Sequence, residues 1–356
     1  MISSKKLIYI LIVIILGCLI SYFLLSNVFA NKKDEVLLVN DIQWGLLNNG
    51  QIIEGVSGVK GYDINVLEAW KVTKGDPKIL VGIVDTGIEI SNPLLRDSIY
   101  KNTKEVEGNS IDDDANGYID DIHGWDFLNN DNNTYDGVTT DYHGTFIASL
   151  IVGKHTKSND VWGVAPDVKI IPLKFMSSSS GSIDSAIKAI KYGYDQGVRI
   201  FNNSWDSTVF NNDLYQVMEK LDDAIFITSS GKGKYNVEET PVYPCNFNLD
   251  NVVCVSAVDN KGDLEEFSGY GDNLVLAPGV NIYGILPEGT YTFSNGTSFA
   301  TAYVSGIAAL AKSVKPNINS KELAKILKNS NKVVVKNKDT IEIIDARKVL
   351  DNVLKR

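Results

Sequence analysis

Lys78-Ile79-Leu80-Val81-Gly82-Ile83-Val84 is an apolar run that stops at Asp85-Thr86-Gly87. A run of this kind, without the alternation of a half-exposed strand, reads as a strand buried on both faces of a parallel sheet. An acid at its end lies where open α/β sheets gather ligands and catalytic groups. Residues 168–173, 198–201, 224–228 and 252–258 repeat the signature. Between them, residues 183–194 place Ile183, Ala186, Ile187 and Ile190 on one face at helical spacing, as a crossover helix requires. Residues 299–312 are apolar nearly all round, the pattern of a helix buried through the centre of a domain. Two amphipathic helices close the chain, one opened by Ser320 with Glu322 in its first turn and one over residues 345–354. Strands alternating with helices, without internal repeats, predict an α/β fold with a mostly parallel central sheet and helices on both faces.

The 356 residues carry a net charge of -10, so a phosphate backbone is repelled over most of the surface and no nucleic-acid partner is expected. Cys18, Cys245 and Cys254 lack the spacing of a structural zinc site. Lys5 and Lys6 precede an uncharged run over residues 7–25, long enough to span a bilayer, and Val28-Phe29-Ala30 offers a small-residue cleavage site. Residues 1–30 therefore read as a signal peptide cleaved after Ala30, as a retained N-terminal membrane anchor, or as a segment lipidated at Cys18. Each alternative places residues 31–356 outside the cytoplasm, secreted or held at the cell surface, with membrane contact only through the N-terminal segment. There Cys245 and Cys254 form an even pair, which either closes a short loop or remains as two buried thiols.

Nucleophilic catalysis by serine needs a base, an acid that orients the base, and donors for the oxyanion. His143 stands in Asp141-Tyr142-His143-Gly144-Thr145, directly before an apolar helical stretch. Ser298 follows Asn295-Gly296-Thr297 and opens the long buried helix, so its backbone N–H points with the helix dipole toward developing negative charge. Asp85 supplies the acid. A second Asp-Thr-Gly, which a carboxylate dyad would need, is missing.

Taken together, Ile83-Val84-Asp85-Thr86-Gly87-Ile88, His143-Gly144-Thr145 and Asn295-Gly296-Thr297-Ser298-Phe299-Ala300 resemble the three signatures of the subtilisin-like serine proteases. The resemblance runs from Asn40-Asp41-Ile42-Gln43-Trp44-Gly45-Leu46 through Tyr243-Pro244 and Ala277-Pro278-Gly279-Val280 to the closing helices. It implies a subtilisin-like peptidase domain over residues 31–356 that works as a monomer. Asp85 would orient His143, His143 would act as general base and then acid, and Ser298 would form an acyl-enzyme. The substrate, a peptide or protein such as a leader or precursor, would bind as an extended strand between Ser180-Gly181-Ser182 and Ser204-Trp205-Asp206.

Residues 112–121 read Asp-Asp-Asp-Ala-Asn-Gly-Tyr-Ile-Asp-Asp, with oxygen ligands at the spacing of a calcium loop but His123 where an EF-hand has glutamate. Many subtilases carry a similar loop, so Ca²⁺ is the expected cofactor, with Asp112, Asp114, Asn116, Tyr118 and Asp121 as candidate ligands. Three features depart from the family. Lys232 stands where the oxyanion-hole asparagine is expected, Asp206 replaces the usual glycine near the first substrate pocket, and the interval from Ala30 to Asn40 leaves no room for a folding pro-domain. Lys232 is accordingly either a substitute oxyanion donor or the mark of a catalytically silent fold that binds a peptide or protein partner. An esterase with the same triad would want a Gly-x-Ser-x-Gly elbow, whereas Ser298 is followed by Phe299-Ala300. Asp206 would favour Lys or Arg before the cut.

Overall fold

The computed structural model describes residues 42–154, 161–336 and 339–356. The segment 1–30, with Cys18, lies outside the described residues, as do Asn40 and Asp41. Among the described residues no helix is long and apolar enough to cross a membrane.

In chain order the elements are β1 (Ile52–Ile53), β2 (Val56–Ser57), α1 (Val66–Trp70), β3 (Leu80–Asp85), β4 (Trp125–Asp126) and α2 (Val138–Val152). There follow β5 (Lys169–Lys174), α3 (Ile183–Asp195), β6 (Ile200–Asn203), α4 (Asn212–Lys220), β7 (Ile225–Ser229), β8 (Val252–Val258) and β9 (Val275–Pro278). The chain closes with β10 (Ile282–Leu286), β11 (Thr290–Ser294), α5 (Thr297–Val314), α6 (Ser320–Lys328), β12 (Asn331–Lys336), β13 (Asp339–Ile344) and α7 (Ala346–Leu354). Seven strands form one sheet in the order β4-β5-β3-β6-β7-β8-β9, every neighbouring pair parallel. The expected α/β class and parallel sheet are what the chain forms.

Burial explains why the apolar runs are continuous. On one face α3 and α4 press Ala186, Ile190, Leu214 and Met218 onto Val84, Leu173, Phe201 and Phe226 of the strands. On the other, α5 is buried along nearly its whole length and packs against α2 and strands β6 to β9. Covering each Leu, Ile or Phe side chain removes it from water at about 1.5–3 kcal/mol, and the sheet gathers many of them. Side chains that accept from the first-turn N–H groups start the outer helices: Ser182 for α3, Asn211 for α4 and Asp345 for α7. Helix α6 differs from the expectation. Asn319 caps it, and the Ser320 hydroxyl instead donates to Asp223 O.

Strand β4 and the hairpins β10–β11 and β12–β13 had no readable signal. A two-residue strand has no period, and the β10–β11 residues are half-buried without regular alternation. The β10–β11 hairpin matters for the site, because it lines a cavity beside His143.

Candidate active site

Asp85 ends β3, fully buried, at the carboxyl edge of the sheet. Its Oδ1 accepts the Thr86 N–H at 2.7 Å and lies 2.8 Å from His143 Nδ1. His143 sits early in α2, just after the backbone leaves helical geometry at Asp141, and its side chain keeps 23% exposure. The two elements approach closely because Gly144 has no side chain: a Cβ there would meet Gly87 O at 2.2 Å. The Gly144 N–H donates to Thr86 Oγ1 at 3.1 Å, a further tie between the His and Asp segments.

Ser298 occupies the first turn of α5 and is 9% exposed. Its hydroxyl donates to Ser204 O at 3.1 Å, and the Ser204 hydroxyl donates back to Ser298 O at 2.9 Å. The Ser298 hydroxyl is engaged here by Ser204 O, and a productive complex requires it to turn to His143; catalytic hydrogen bonds commonly tighten only around substrate. Phe299 carries the link to the base, its ring centroid 6.0 Å from that of His143. Thr297 Oγ1 donates to Gly231 O at 2.9 Å and so fixes the turn that carries Lys232 against the head of α5.

The two segments expected to flank a substrate strand meet at one cavity of about 360 Å³. Ser180, Gly181 and Ser182 line it together with Phe175, Trp205 and Asp206. Ser204 lies beside Ser298 instead. Burial pushes the Asp206 carboxyl above the ordinary carboxylate range, and the Lys232 ammonium pulls it part of the way back. Lys232 itself is exposed. A second cavity of about 340 Å³ is lined by His143 together with Tyr142, Phe146, Phe293 and Phe299. Nothing in the sequence pattern pointed to it, since its walls come from α2, the β10–β11 hairpin and α5.

In the acidic loop the carboxylates that converge are Glu105, Asp112 and Asp114, with ligand oxygens within 4.8 Å of one another. Glu105 was not among the expected ligands; it precedes the motif and is nearly buried, accepting from the Asp114 and Asp120 N–H groups. Asp121 is instead a buried hub that accepts from Asn102, Asn116 and Tyr192. Asn116 thus spends its amide on Asp121, and its Oδ1 accepts the Tyr118 N–H. The Tyr118 ring packs edge-on against Trp125 and Tyr192. Elsewhere Cys245 and Cys254 are joined by a disulfide, with Cα atoms 4.9 Å apart.

A family model described as the subtilase family matches residues 76–347. Subtilisin-like protease 1 of Plasmodium berghei is 31% identical over 273 residues, which cover 70% of this chain and 45% of that protein. The chain thus spans about half the length of the Plasmodium relatives it matches. Subtilisin DY of Bacillus licheniformis is 30% identical over 270 residues, 74% of this chain and 88% of the relative. Among solved structures, the prenylagaramide maturation protease PagA aligns with a TM-score of 0.62 at 22% identity, covering 81% of this chain and 98% of its own. A protease of Pseudoalteromonas arctica aligns with a TM-score of 0.66 at 20% identity, covering 82% and 94%.

Proposed function

The chain belongs to the subtilase family, and from that membership we propose that it is a serine endopeptidase working through Asp85, His143 and Ser298. The observation that carries this reading is the Asp85–His143 hydrogen bond at 2.8 Å, formed beside the head of the helix that holds Ser298. A peptide lies extended between the Ser180-Gly181-Ser182 and Ser204-Trp205-Asp206 segments. The Ser298 Oγ attacks the scissile carbonyl carbon while His143 Nε2 takes its proton, and Asp85 holds the opposite ring nitrogen and steadies the imidazolium. The Ser298 backbone N–H, at the amino end of α5, and Lys232 donate to the tetrahedral oxygen. His143 then protonates the leaving amine, and water, activated by the same ring, releases the acyl group from Ser298.

Three finer readings accompany this. The leader pattern at residues 1–30 and the Cys245–Cys254 disulfide favour work outside the cytoplasm. Glu105, Asp112 and Asp114 would hold Ca²⁺ through carboxylate oxygens, a donor set that suits a hard cation and whose mutual repulsion the ion would relieve. Processing of a leader or precursor peptide is the substrate reading, in keeping with the maturation role of the structurally similar PagA. The alternative, a silent peptide-binding fold, draws on the exposed Lys232 in place of an amide donor and on the Ser298 hydroxyl turned to Ser204. Hydrolysis of a fluorogenic peptide library separates the two. Cleavage abolished by Ser298→Ala is the expected result, and peptide binding without turnover in wild type would establish the silent fold.

A further inference from the structure

A second set of charges lies beneath the Asp85–His143 pair. Lys174 ends β5, and in the parallel register its Cα is the partner of Asp85 on one side and of Asp126 on the other. The Phe175 N–H, next in sequence, donates to Asp85 O at 3.0 Å. The Lys174 side chain is completely buried. Its ammonium donates to both oxygens of Asp141 at 2.7 and 2.8 Å, and lies 2.7 Å from Asp136 Oδ2 and 3.7 Å from Asp126 Oδ2.

Asp141 is fully buried and precedes His143 by two residues. It is the point inside α2 where the backbone leaves helical geometry, at φ −123° and ψ 16°. The loop that follows Asp85 packs against the same ions and Thr134: a Cβ on Gly87 would meet Thr134 O at 2.5 Å, Lys174 Cδ at 3.0 Å and Asp141 Cγ at 3.1 Å. Lys174 therefore joins the end of the strand that bears Asp85 to the start of the helix that bears His143, and it pairs with Asp126, Asp136 and Asp141 rather than with either of those side chains.

A buried ion cluster is a poor way to gain stability, since an apolar group of similar volume often does as well. What it supplies is directional geometry, because each bond fixes a distance and an angle. Burial raises Asp126 and Asp141. Burial acts to lower Lys174, but its bonds to Asp136 and Asp141 more than offset this and hold it above the ordinary lysine range, so it remains an ammonium. Tyr135, which also feels the charge of Asp141, is raised chiefly by burial.

We propose that Lys174 is a positioning residue for proton transfer: through Asp141 it seats the start of α2 against the end of β3 and so keeps His143 Nδ1 on Asp85. This rests on the triad reading and extends it to a residue outside the triad.

The test uses the full chain as wild type, Lys174→Met, Asp141→Asn and Leu323→Ala, the last a buried α6 substitution that lowers stability away from the site. Two quantities are read: kcat and KM on a peptide substrate, and the low-field NMR resonance of the His143 Nδ1 proton in a Ser298→Ala background, where turnover is not needed. Lys174→Met should lower kcat roughly 10- to 100-fold with KM little changed, as expected for reacting groups misplaced by a fraction of an ångström. It should also broaden or erase the resonance, while Leu323→Ala lowers the melting temperature and moves neither. A sharp resonance and full kcat in Lys174→Met, whatever the loss of melting temperature, would overturn the proposal. If Lys174→Met does not fold, Asp141→Asn, which keeps the side-chain volume, is held to the same two outcomes at smaller amplitude. If wild type is inactive while Lys174→Met still erases the resonance in the Ser298→Ala background, the triad reading fails and only the seating of His143 on Asp85 by Lys174 stands.

Discussion

Two groups of three carboxylates lie a short way apart in this chain and differ in one respect. Asp126, Asp136 and Asp141 surround the ammonium of Lys174, and two of the three are fully buried. Glu105, Asp112 and Asp114 converge with no lysine or arginine paired to them among the described residues, and the last two are only partly covered. Carboxylates held this close repel unless a cation or hydrogen bonds compensate. The first group brings its cation in the sequence; the second meets the repulsion with backbone N–H groups, and the proposed calcium would relieve the rest. The difference predicts opposite dependence on metal at the two places.

The largest effect should come from deleting the built-in cation. Lys174→Met leaves buried carboxylates uncompensated and should cost about 3–5 kcal/mol, a drop on the order of 10 °C in melting temperature. A loss under 1 kcal/mol would show that the buried acids are protonated and the ion cluster is not one.

A lysine outside both groups extends the comparison to the surface. Lys232 is exposed, and its charge acts on the Asp206 carboxylate. Lys232→Ala should lower single-turnover hydrolysis by roughly 10²- to 10³-fold, while Lys232→Asn retains it. Equal rates in all three forms would remove Lys232 from the chemistry.

Chelation addresses the second carboxylate group. EDTA should lower the melting temperature by several degrees, matching the roughly 2–3 kcal/mol that a ligand at 100 times its dissociation constant contributes, and added calcium should restore it. Glu105→Gln should abolish that response and leave the Lys174 cluster indifferent to EDTA. A melt unmoved by EDTA, together with no calcium by metal analysis, would make the loop a solvated turn.

The smallest effect concerns Asp206. Its charge should favour Lys or Arg before the cut by about tenfold, and only the ionised form can pair. Because burial raises this carboxyl, the preference should fade as pH drops through a range higher than for an ordinary aspartate. Asp206→Asn should show a weak preference at every pH. Cleavage after Leu or Phe equal to or better than after Lys or Arg, and unaltered in Asp206→Gly, would contradict this.

The same comparison explains what could be read in advance. The acidic loop announces itself because its Asp and Asn residues lie at fixed short spacing, although Glu105 escaped because it lies seven residues before the motif. The Lys174 cluster has no local signature. Its members are scattered from Asp126 to Lys174: the register of β4 and β5 brings Asp126 to Lys174, and the start of α2 and the segment just before it bring Asp141 and Asp136. Five central strands, β3, β5, β6, β7 and β8, and the buried helix α5 were legible from continuous apolar runs, to within a residue or two, whereas β9 was not. β4 and the hairpins were not, since neither a two-residue strand nor a half-buried pair produces a period. Asp85, His143 and Ser298 are the residues the motifs propose, and the structure brings the first two into hydrogen bond. The cavity walled by Phe293 and Phe299 depends on how α2, β11 and α5 meet, which no single stretch encodes.

The central claim, that Ser298 is a nucleophile activated by His143 and Asp85, is tested most directly by a fluorophosphonate probe, followed by intact-mass measurement and peptide mapping. The account predicts one adduct per chain, located on Ser298, absent in Ser298→Ala and slowed strongly in His143→Ala. Failure of the folded wild type to label, or an adduct that persists in Ser298→Ala, would contradict it.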